Sequence, residues 1–198
     1  MFTPFSGQPA HLVKRFKEQS RLTPEKLLFF EKLDDKWSGL TYAQTETRIT
    51  QLAFYMAELG LMAEAGAIGF TNGTTSVANS LTMRRLLTYT SMLDRPFIQH
   101  CEESTLTENG EMNEGETSTR LGLIGIPSEA EVITLDRDLH LLRRIGARYH
   151  VAHISTRAAI DAVRRAKDEG LAVTADTAPP YFLLNEMAIH NYNTAFKL

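Results

Sequence analysis

This chain contains a single cysteine, Cys101, so no disulfide can form within it. Because disulfide frameworks are typical of secreted proteins, we expect a cytoplasmic protein. The opening residues, Met1–Phe5, lack the basic stretch and apolar run of a signal peptide. No apolar run approaches the roughly 20 residues that a membrane-spanning helix needs. The sequence therefore predicts no membrane partner.

Basic residues are not in excess. The chain has 21 Lys and Arg against 24 Asp and Glu, which gives a net charge of −3, and no basic stripe is visible. We therefore expect no nucleic-acid partner. The 198 residues are 43% apolar, which is enough to bury a core in one or two domains.

The chain divides into two unlike pieces. Residues 1–55 predict a helix near His11–Glu18, a hairpin of two β-prone runs around Asp34-Asp35-Lys36, and a helix after Ala43. Residues 56–198 follow a different rhythm, in which apolar runs alternate with helical patterns. We therefore predict a small α+β segment, helix–hairpin–helix, at 1–55 and a separate α/β domain at 56–198.

The second piece predicts βαβ units and a parallel sheet. Its apolar runs lie at 67–71, 97–100, 150–154 and 171–175. Between them, helices are predicted at Leu81–Leu93, from a capping box at Ser128–Glu131 to about Ile145, and at Thr156–Glu169, which Gly170 closes.

Each predicted strand ends in a polar or ligating residue: Asn72, His100, His153 and Asp176. In parallel α/β folds, catalytic and ligand-binding residues lie at the carboxyl ends of the strands. The pattern fits a (β/α)8 barrel better than an open sheet. A full barrel needs roughly 250 residues, so residues 56–198 supply about half of one.

His100 and His153 form the strongest candidate pair, because imidazoles at neighbouring strand ends can begin a metal centre. The alternative is that both are core histidines bonded to the backbone. Glu102, Glu103 or Asp176 could orient the rings. His150 lies an odd number of residues from His153, so we predict that it packs outward under a helix.

Two further features are candidates. The acidic segment Met112–Glu116 lies either at the active face of the barrel or in a solvated loop. Cys101 has no visible base partner, so we do not assign it as a nucleophile. We assign no catalytic residue, and the sequence leaves the substrate-binding residues unknown.

Residues 56–198 contain several short motifs in a fixed order. The motifs include Gly66-Ala67-Ile68-Gly69-Phe70-Thr71-Asn72-Gly73, Gln99-His100-Cys101-Glu102-Glu103, Gly110-Glu111-Met112-Asn113-Glu114-Gly115, Arg137-Asp138 and His150-Val151-Ala152-His153-Ile154-Ser155-Thr156. Through these motifs and their order, the chain resembles the dihydroorotases of the amidohydrolase superfamily over that whole range.

The resemblance implies about strands 4–7 of a (β/α)8 barrel, with zinc as cofactor. It implies interconversion of dihydroorotate and N-carbamoyl-L-aspartate in pyrimidine biosynthesis, and a homo-oligomer or aspartate transcarbamoylase as partner. His100 and His153 match the zinc ligands after the fifth and sixth strands. Asn72 stands where an aspartate often reaches the metal, and we include it in the predicted metal set.

The resemblance also implies missing parts. The family's His-x-His pair and its catalytic aspartate have no counterpart in residues 1–198, so we expect a truncated hydrolase that is inactive alone. Residues 1–55 weakly resemble the N-terminal edge of adenylate-forming acyl-CoA synthetases, through Trp37-Ser38-Gly39-Leu40-Thr41-Tyr42, Arg48 and Leu52-Ala53. Two alternatives stay open: a non-catalytic structural partner of aspartate transcarbamoylase, and an artefactual fusion fragment.

Overall fold

The structure is a computed structural model that describes residues 17–33, 36–189, 192 and 196. The chain forms two compact units, Met1–Leu61 and Met62–Leu198. This division and the predicted boundary near residue 55 both lie within one helix, Tyr42–Glu64. The described part of the predicted first helix is helical at residues 17–22, and the predicted Asp34-Asp35 turn lies outside the described residues.

The first unit contains an antiparallel hairpin and most of a long helix. Strand β1 (Leu27–Leu33) pairs with β2 (Lys36–Thr41), and α1 covers Tyr42–Glu64. The helix begins at a capping box. The Gln44 N–H donates to the Thr41 hydroxyl at 3.2 Å, and the Thr41 N–H donates to the Gln44 side-chain oxygen at 3.0 Å.

The second unit is built on a four-stranded parallel sheet, as the sequence predicts. Its strands are β3 (Phe70–Thr71), β4 (Phe97–His100), β7 (Tyr149–Ala152) and β8 (Val173–Ala175), and they lie side by side in chain order. In the central pair Phe97 is opposite Tyr149, and His100 is opposite Ala152. The carboxyl ends of β4 and β7 therefore lie level with each other.

Three amphipathic helices accompany this sheet, and the second of them along the chain packs against the other two. They are α2 (Ser80–Met92), α5 (Glu129–Ile145) and α6 (Arg157–Asp168). The largest buried side chains come from these helices and from alternate strand positions, among them Met83, Leu87, Leu135, Leu139, Leu142, Phe97, Tyr149 and Val151. Full burial of one such side chain stabilises the fold by roughly 1.5–3 kcal/mol.

An insertion separates β4 from α5. It contains α3 (Ser104–Thr107), β5 (Met112–Asn113), α4 (Glu116–Leu121) and β6 (Gly125–Ile126). Strands β5 and β6 pair in parallel, and Met112 is buried. The segment predicted as a loop at 112–116 therefore begins with a short strand. After β8 come α7 (Pro179–Leu183) and a 3-10 turn at Glu186–Ala188.

The predicted capping box at Ser128–Glu131 is wrong, although the helix itself begins at Glu129 as expected. Ser128 has helical backbone angles and makes no side-chain cap bond, because its hydroxyl is directed to Glu129 at 3.3 Å. The Glu131 carboxylate instead binds a different loop, at Ser155 and Thr156. Within the described residues, the helices are too short or too polar to cross a bilayer.

Candidate metal centre

His100 is the last residue of β4, and its side chain is 25% exposed. Its Nε2 lies 3.4 Å from a carboxylate oxygen of Glu102. Its Nδ1 is buried and has no hydrogen-bond partner among the described residues. A buried ring nitrogen normally has a hydrogen-bond partner, so this unpartnered nitrogen is available to bind a ligand.

His153 immediately follows β7, and its ring lies beside that of His100. The two ring centroids are 5.7 Å apart, and the ring planes are tilted by 54°. Two imidazoles that bind one zinc ion at about 2.0–2.1 Å have ring centroids roughly 5 Å apart. The structure therefore brings the two predicted histidines to nearly the separation that a shared metal ion needs.

His150 does not pack under a helix, and that prediction is wrong. The preceding residue, Tyr149, faces α5, where its hydroxyl donates to Asp138 at 2.7 Å. Because side chains alternate along a strand, His150 lies on the opposite face. The prediction failed because β7 ends at Ala152, and His153 has a left-handed backbone with φ of 59°. Strand alternation therefore does not relate the two histidines.

Asp176 connects His150 and His153. One carboxylate oxygen lies 2.9 Å from His150 Nε2, and the other accepts the His153 backbone N–H at 2.6 Å. His150 Nδ1 is 2.8 Å from the Thr174 hydroxyl. The hydrogen bond from His150 lowers the pKa of Asp176 most, and the His153 N–H lowers it further. Asp176 therefore orients His150 and holds the backbone of His153.

The three carboxylates proposed to orient the rings have different roles in the structure. Glu102 lies against His100, and Asp176 contacts His150 and the backbone of His153. Glu103 caps the short helix α3, where its carboxylate accepts the Thr105 hydroxyl at 2.9 Å. Helix capping explains Glu103 without any role at the metal centre.

Glu131 contributes to the site in a way that the sequence did not reveal. It projects from α5 and accepts the backbone N–H groups of Ser155 and Thr156, each at 2.9 Å. These residues lie two and three positions after His153. No local pattern links Glu131 to a loop more than twenty positions away, so only tertiary packing shows this contact.

Asn72, the third predicted ligand, follows β3 and is exposed. Its side-chain nitrogen donates to the Thr75 carbonyl at 3.1 Å, within a local turn. Asn72 is not among the described residues that line the cavity containing His100 and His153. The structure thus shows a turn contact for Asn72, and its assignment as a ligand stays a prediction.

A cavity of about 910 Å³ contains the two histidines. Its wall includes β5, the start of α5, the loop after β7 and α7, so part of the acidic segment 112–116 faces it. The acidic lining residues are Glu102, Glu111, Glu114, Glu129, Glu131 and Glu186. This lining is suited to a cation more than to an anion.

We assign Cys101 no role in the candidate metal centre. Its side chain is buried, and its sulfur is 3.4 Å from the Tyr149 hydroxyl. Burial raises the pKa of the Cys101 thiol to about 12. A thiol with that pKa carries almost no thiolate at neutral pH, which agrees with our decision not to assign it as a nucleophile.

The chemistry of the site fits part of a zinc centre. Two imidazoles lie close together, and one of them has an unpartnered buried nitrogen. Among the described residues, no group of three or more His, Cys, Asp or Glu side chains is arranged to hold a metal ion. Because zinc normally takes three or four protein ligands, His100 and His153 supply an incomplete set.

The fold is similar to that of solved hydantoinases. A D-hydantoinase from Bacillus sp. AR9 is 20% identical, with a TM-score of 0.57 over 70% of this chain and 32% of that one. An L-hydantoinase from Arthrobacter aurescens is 19% identical, with a TM-score of 0.57 over 68% of this chain and 32% of that one. At this identity the comparison shows the fold class, which is an α/β protein with a parallel sheet.

The chain belongs to the dihydro-orotase-like family, whose sequence model matches residues 40–159. A dihydroorotase from Syntrophus aciditrophicus is 48% identical over 143 residues, or 72% of this chain and 34% of that protein. One from Anaplasma phagocytophilum is 45% identical over 144 residues, or 72% of this chain and 32% of that protein. The chain thus spans about a third of the length of these relatives.

Proposed function

We propose that this chain carries part of the metal centre of a dihydroorotase-type zinc hydrolase. The substrates would be the cyclic amide dihydroorotate and its ring-opened form N-carbamoyl-L-aspartate, in pyrimidine biosynthesis. The observation that carries the proposal is the approach of His100 and His153 to a ring-centroid distance of 5.7 Å. Family membership, with dihydroorotases of 48% and 45% identity, supports the substrate class.

The proposal places the second unit as about strands 4–7 of a (β/α)8 barrel. Four parallel strands in chain order, with helices between them, support this assignment. So does the position of both histidines at carboxyl ends of strands, where barrel enzymes carry their active sites. The remaining strands and ligands are those of the family's barrel that the match does not include, since it covers 34% and 32% of these relatives.

His100 and His153 would hold the metal ion, and Glu102 and Asp176 would orient them. Glu102 can accept the Nε2–H of His100, which leaves Nδ1 as the lone-pair nitrogen. Asp176 fixes the backbone of His153 through the N–H bond. Zinc, when bound, supplies an activated water and polarises the amide carbonyl of the substrate.

The test is a zinc titration of the full chain in competition with a chromophoric chelator. We expect weak binding by the wild type, because two imidazoles are an incomplete ligand set. His100→Ala and His153→Ala should each lower the affinity by about tenfold or more.

His140→Ala is the matched control, since His140 is an exposed histidine on α5 that contacts Arg143. It should bind zinc as the wild type does. Equal affinity in the wild type, His100→Ala and His153→Ala would contradict the proposed metal centre. A loss of affinity in His140→Ala would show that zinc binds elsewhere.

A further inference from the structure

The loop after β7 is held by two carboxylates. Four consecutive backbone N–H groups, at residues 153–156, donate to only two residues. The His153 N–H donates to the Asp176 carboxylate at 2.6 Å, and the Ile154 N–H donates to the Asp176 backbone carbonyl at 2.9 Å. The next two donate to the Glu131 carboxylate, at 2.9 Å each. The loop is thus held at its start by Asp176, which follows β8, and at its end by Glu131 of α5.

This loop needs such support because of the backbone at His153. A residue with a side chain seldom adopts a positive φ, and His153 has a φ of 59°. Such a conformation persists when the surroundings fix it from several directions. Glu131 contributes by fixing the two residues that lead from this turn into α6, whose N-cap is Thr156.

Glu131 lines the same cavity as the histidines, but its oxygens are already used. One oxygen accepts the Ser155 N–H, and the other accepts the Thr156 N–H and lies 3.4 Å from the Ser155 hydroxyl. A carboxylate that binds two backbone amides in this way stabilises a loop. Its geometry therefore points to a structural hold on the loop and not to direct contact with an ion.

We infer that Glu131 is a positioning residue for His153, and that it sets the zinc affinity of this site without binding the ion. The inference rests on the proposed function, because it assigns His153 as a ligand. Removal of Glu131 would release the Ser155 and Thr156 amides and let His153 leave its left-handed conformation. Loss of such supporting contacts typically weakens metal binding by about 10–100-fold.

The experiment compares Glu131→Ala and Glu131→Gln with the matched control Asp136→Ala. Asp136 is an acidic residue of the same helix that is not among the described residues lining the cavity. Zinc affinity is measured by chelator competition, and visible absorption of the cobalt-substituted protein reports the ligand set. Amide hydrogen exchange at Ser155 and Thr156 reports whether the loop is held.

We expect Glu131→Ala to lose about tenfold or more in zinc affinity and to show the cobalt spectrum of His153→Ala. Glu131→Gln keeps an acceptor oxygen, so it should retain the wild-type spectrum with a smaller loss of affinity. Asp136→Ala should match the wild type. A change in thermal stability alone would not move the cobalt spectrum.

Two failures are distinguishable. If the wild type binds zinc through His153 and Glu131→Ala binds it equally, with an unchanged spectrum, the inference is overturned and the proposed function stands. If the wild type binds no better than His153→Ala, the proposed function fails and the inference falls with it. If Glu131→Ala does not fold, the same comparison is made with Glu131→Gln, which keeps the side-chain length and one acceptor oxygen.

Discussion

Asp138 is a buried carboxylate that serves the core and not the histidine site. It is fully buried in α5, accepts the Tyr149 hydroxyl at 2.7 Å, and is 2.8 Å from Arg137 Nε. Burial raises the pKa of Asp138, although the Tyr149 hydroxyl and Arg137 lower it in part. A buried carboxylate of this kind is tolerated only while its partners remain.

The raised pKa of Asp138 predicts a pH dependence of stability. The folded state holds the proton more tightly than the unfolded state, so the contribution of Asp138 is most favourable below its ordinary pKa of 3.8. It declines as pH rises from there through the higher folded pKa. Relative to Asp138→Asn, the wild type should therefore lose free energy of unfolding as the pH rises above about 4. Urea denaturation at several pH values measures this difference.

Tyr149→Phe provides the complementary test at the same site. It removes the hydroxyl that donates to Asp138 and leaves the surrounding ring contacts in place. The loss of one buried hydrogen bond to a carboxylate should cost about 1–3 kcal/mol. Tyr181→Phe, on a partly exposed ring, is the control and should change the free energy of unfolding by less than about 0.5 kcal/mol. Equal effects would mean that the Tyr149 hydroxyl contributes nothing to stability.

Helix ends show why a sequence motif does not determine its own partners. The Ser128–Glu131 sequence matches a capping box, but the structure forms one at Thr41 and Gln44 instead. Both segments satisfy the pattern of Ser or Thr followed three residues later by Glu or Gln. The Glu131 carboxylate accepts backbone N–H groups from the loop after β7. Ser128 has helical backbone angles that do not suit an N-cap.

At the two helix ends, the same kind of substitution should change the free energy of unfolding by different amounts. Thr41→Ala should lower the free energy of unfolding by about 1 kcal/mol, because it removes a cap acceptor from α1. Ser128→Ala should change it little, because the Ser128 hydroxyl caps no backbone N–H. Thermal or urea unfolding of both variants measures this. A larger effect of Ser128→Ala would restore the capping box that the sequence suggests.

The β5–β6 pair depends on a glycine at a close approach. A Cβ at Gly125 would lie 2.5 Å from the Glu114 Cα, which the backbone cannot accommodate without a shift. Gly125→Ala should therefore destabilise the pair by about 1–3 kcal/mol. Gly115→Ala is the matched control, since a Cβ there meets no atom within 4 Å. Urea unfolding that gives equal losses for the two variants would contradict this account.

In the second unit, the sheet keeps two unpaired edges among the described residues, at β3 and β8. Closed barrels have no such edges, and exposed edges favour association. Apolar side chains are also exposed on α7, where Phe182 is 67% and Leu183 is 71% exposed. Both features favour contact between copies of the chain over a stable monomer.

We therefore expect the isolated chain to self-associate, with a sedimentation coefficient that rises with concentration. Combined Phe182→Ser and Leu183→Ser substitutions should weaken this association, because they remove the most exposed neighbouring apolar pair of α7. Met92→Ser, at an exposed apolar residue at the end of α2, should leave it unchanged. A monomer with one sharp unfolding transition at all concentrations would contradict the expectation.

Much of the fold follows from local patterns. The apolar run at 97–100, the helical spacing at 81–93 and the stop at Gly170 involve only neighbouring residues, and the structure has β4, α2 and the end of α6 there. Gly170 has a φ of 83°, which glycine adopts without a steric penalty. These features could be predicted because their energetic causes act within a few residues.

The geometry of the candidate site was decided by tertiary structure. The sequence placed His100 and His153 at strand ends, but it could not show that β7 ends at Ala152 or that His153 is left-handed. Asp176, which follows β8, and Glu131 of α5 both contact the loop after β7. Such contacts depend on how strands and helices pack, and no local propensity encodes them. The chain's local patterns thus placed the two histidines at strand ends, and packing determined which other residues join them and how they are held there.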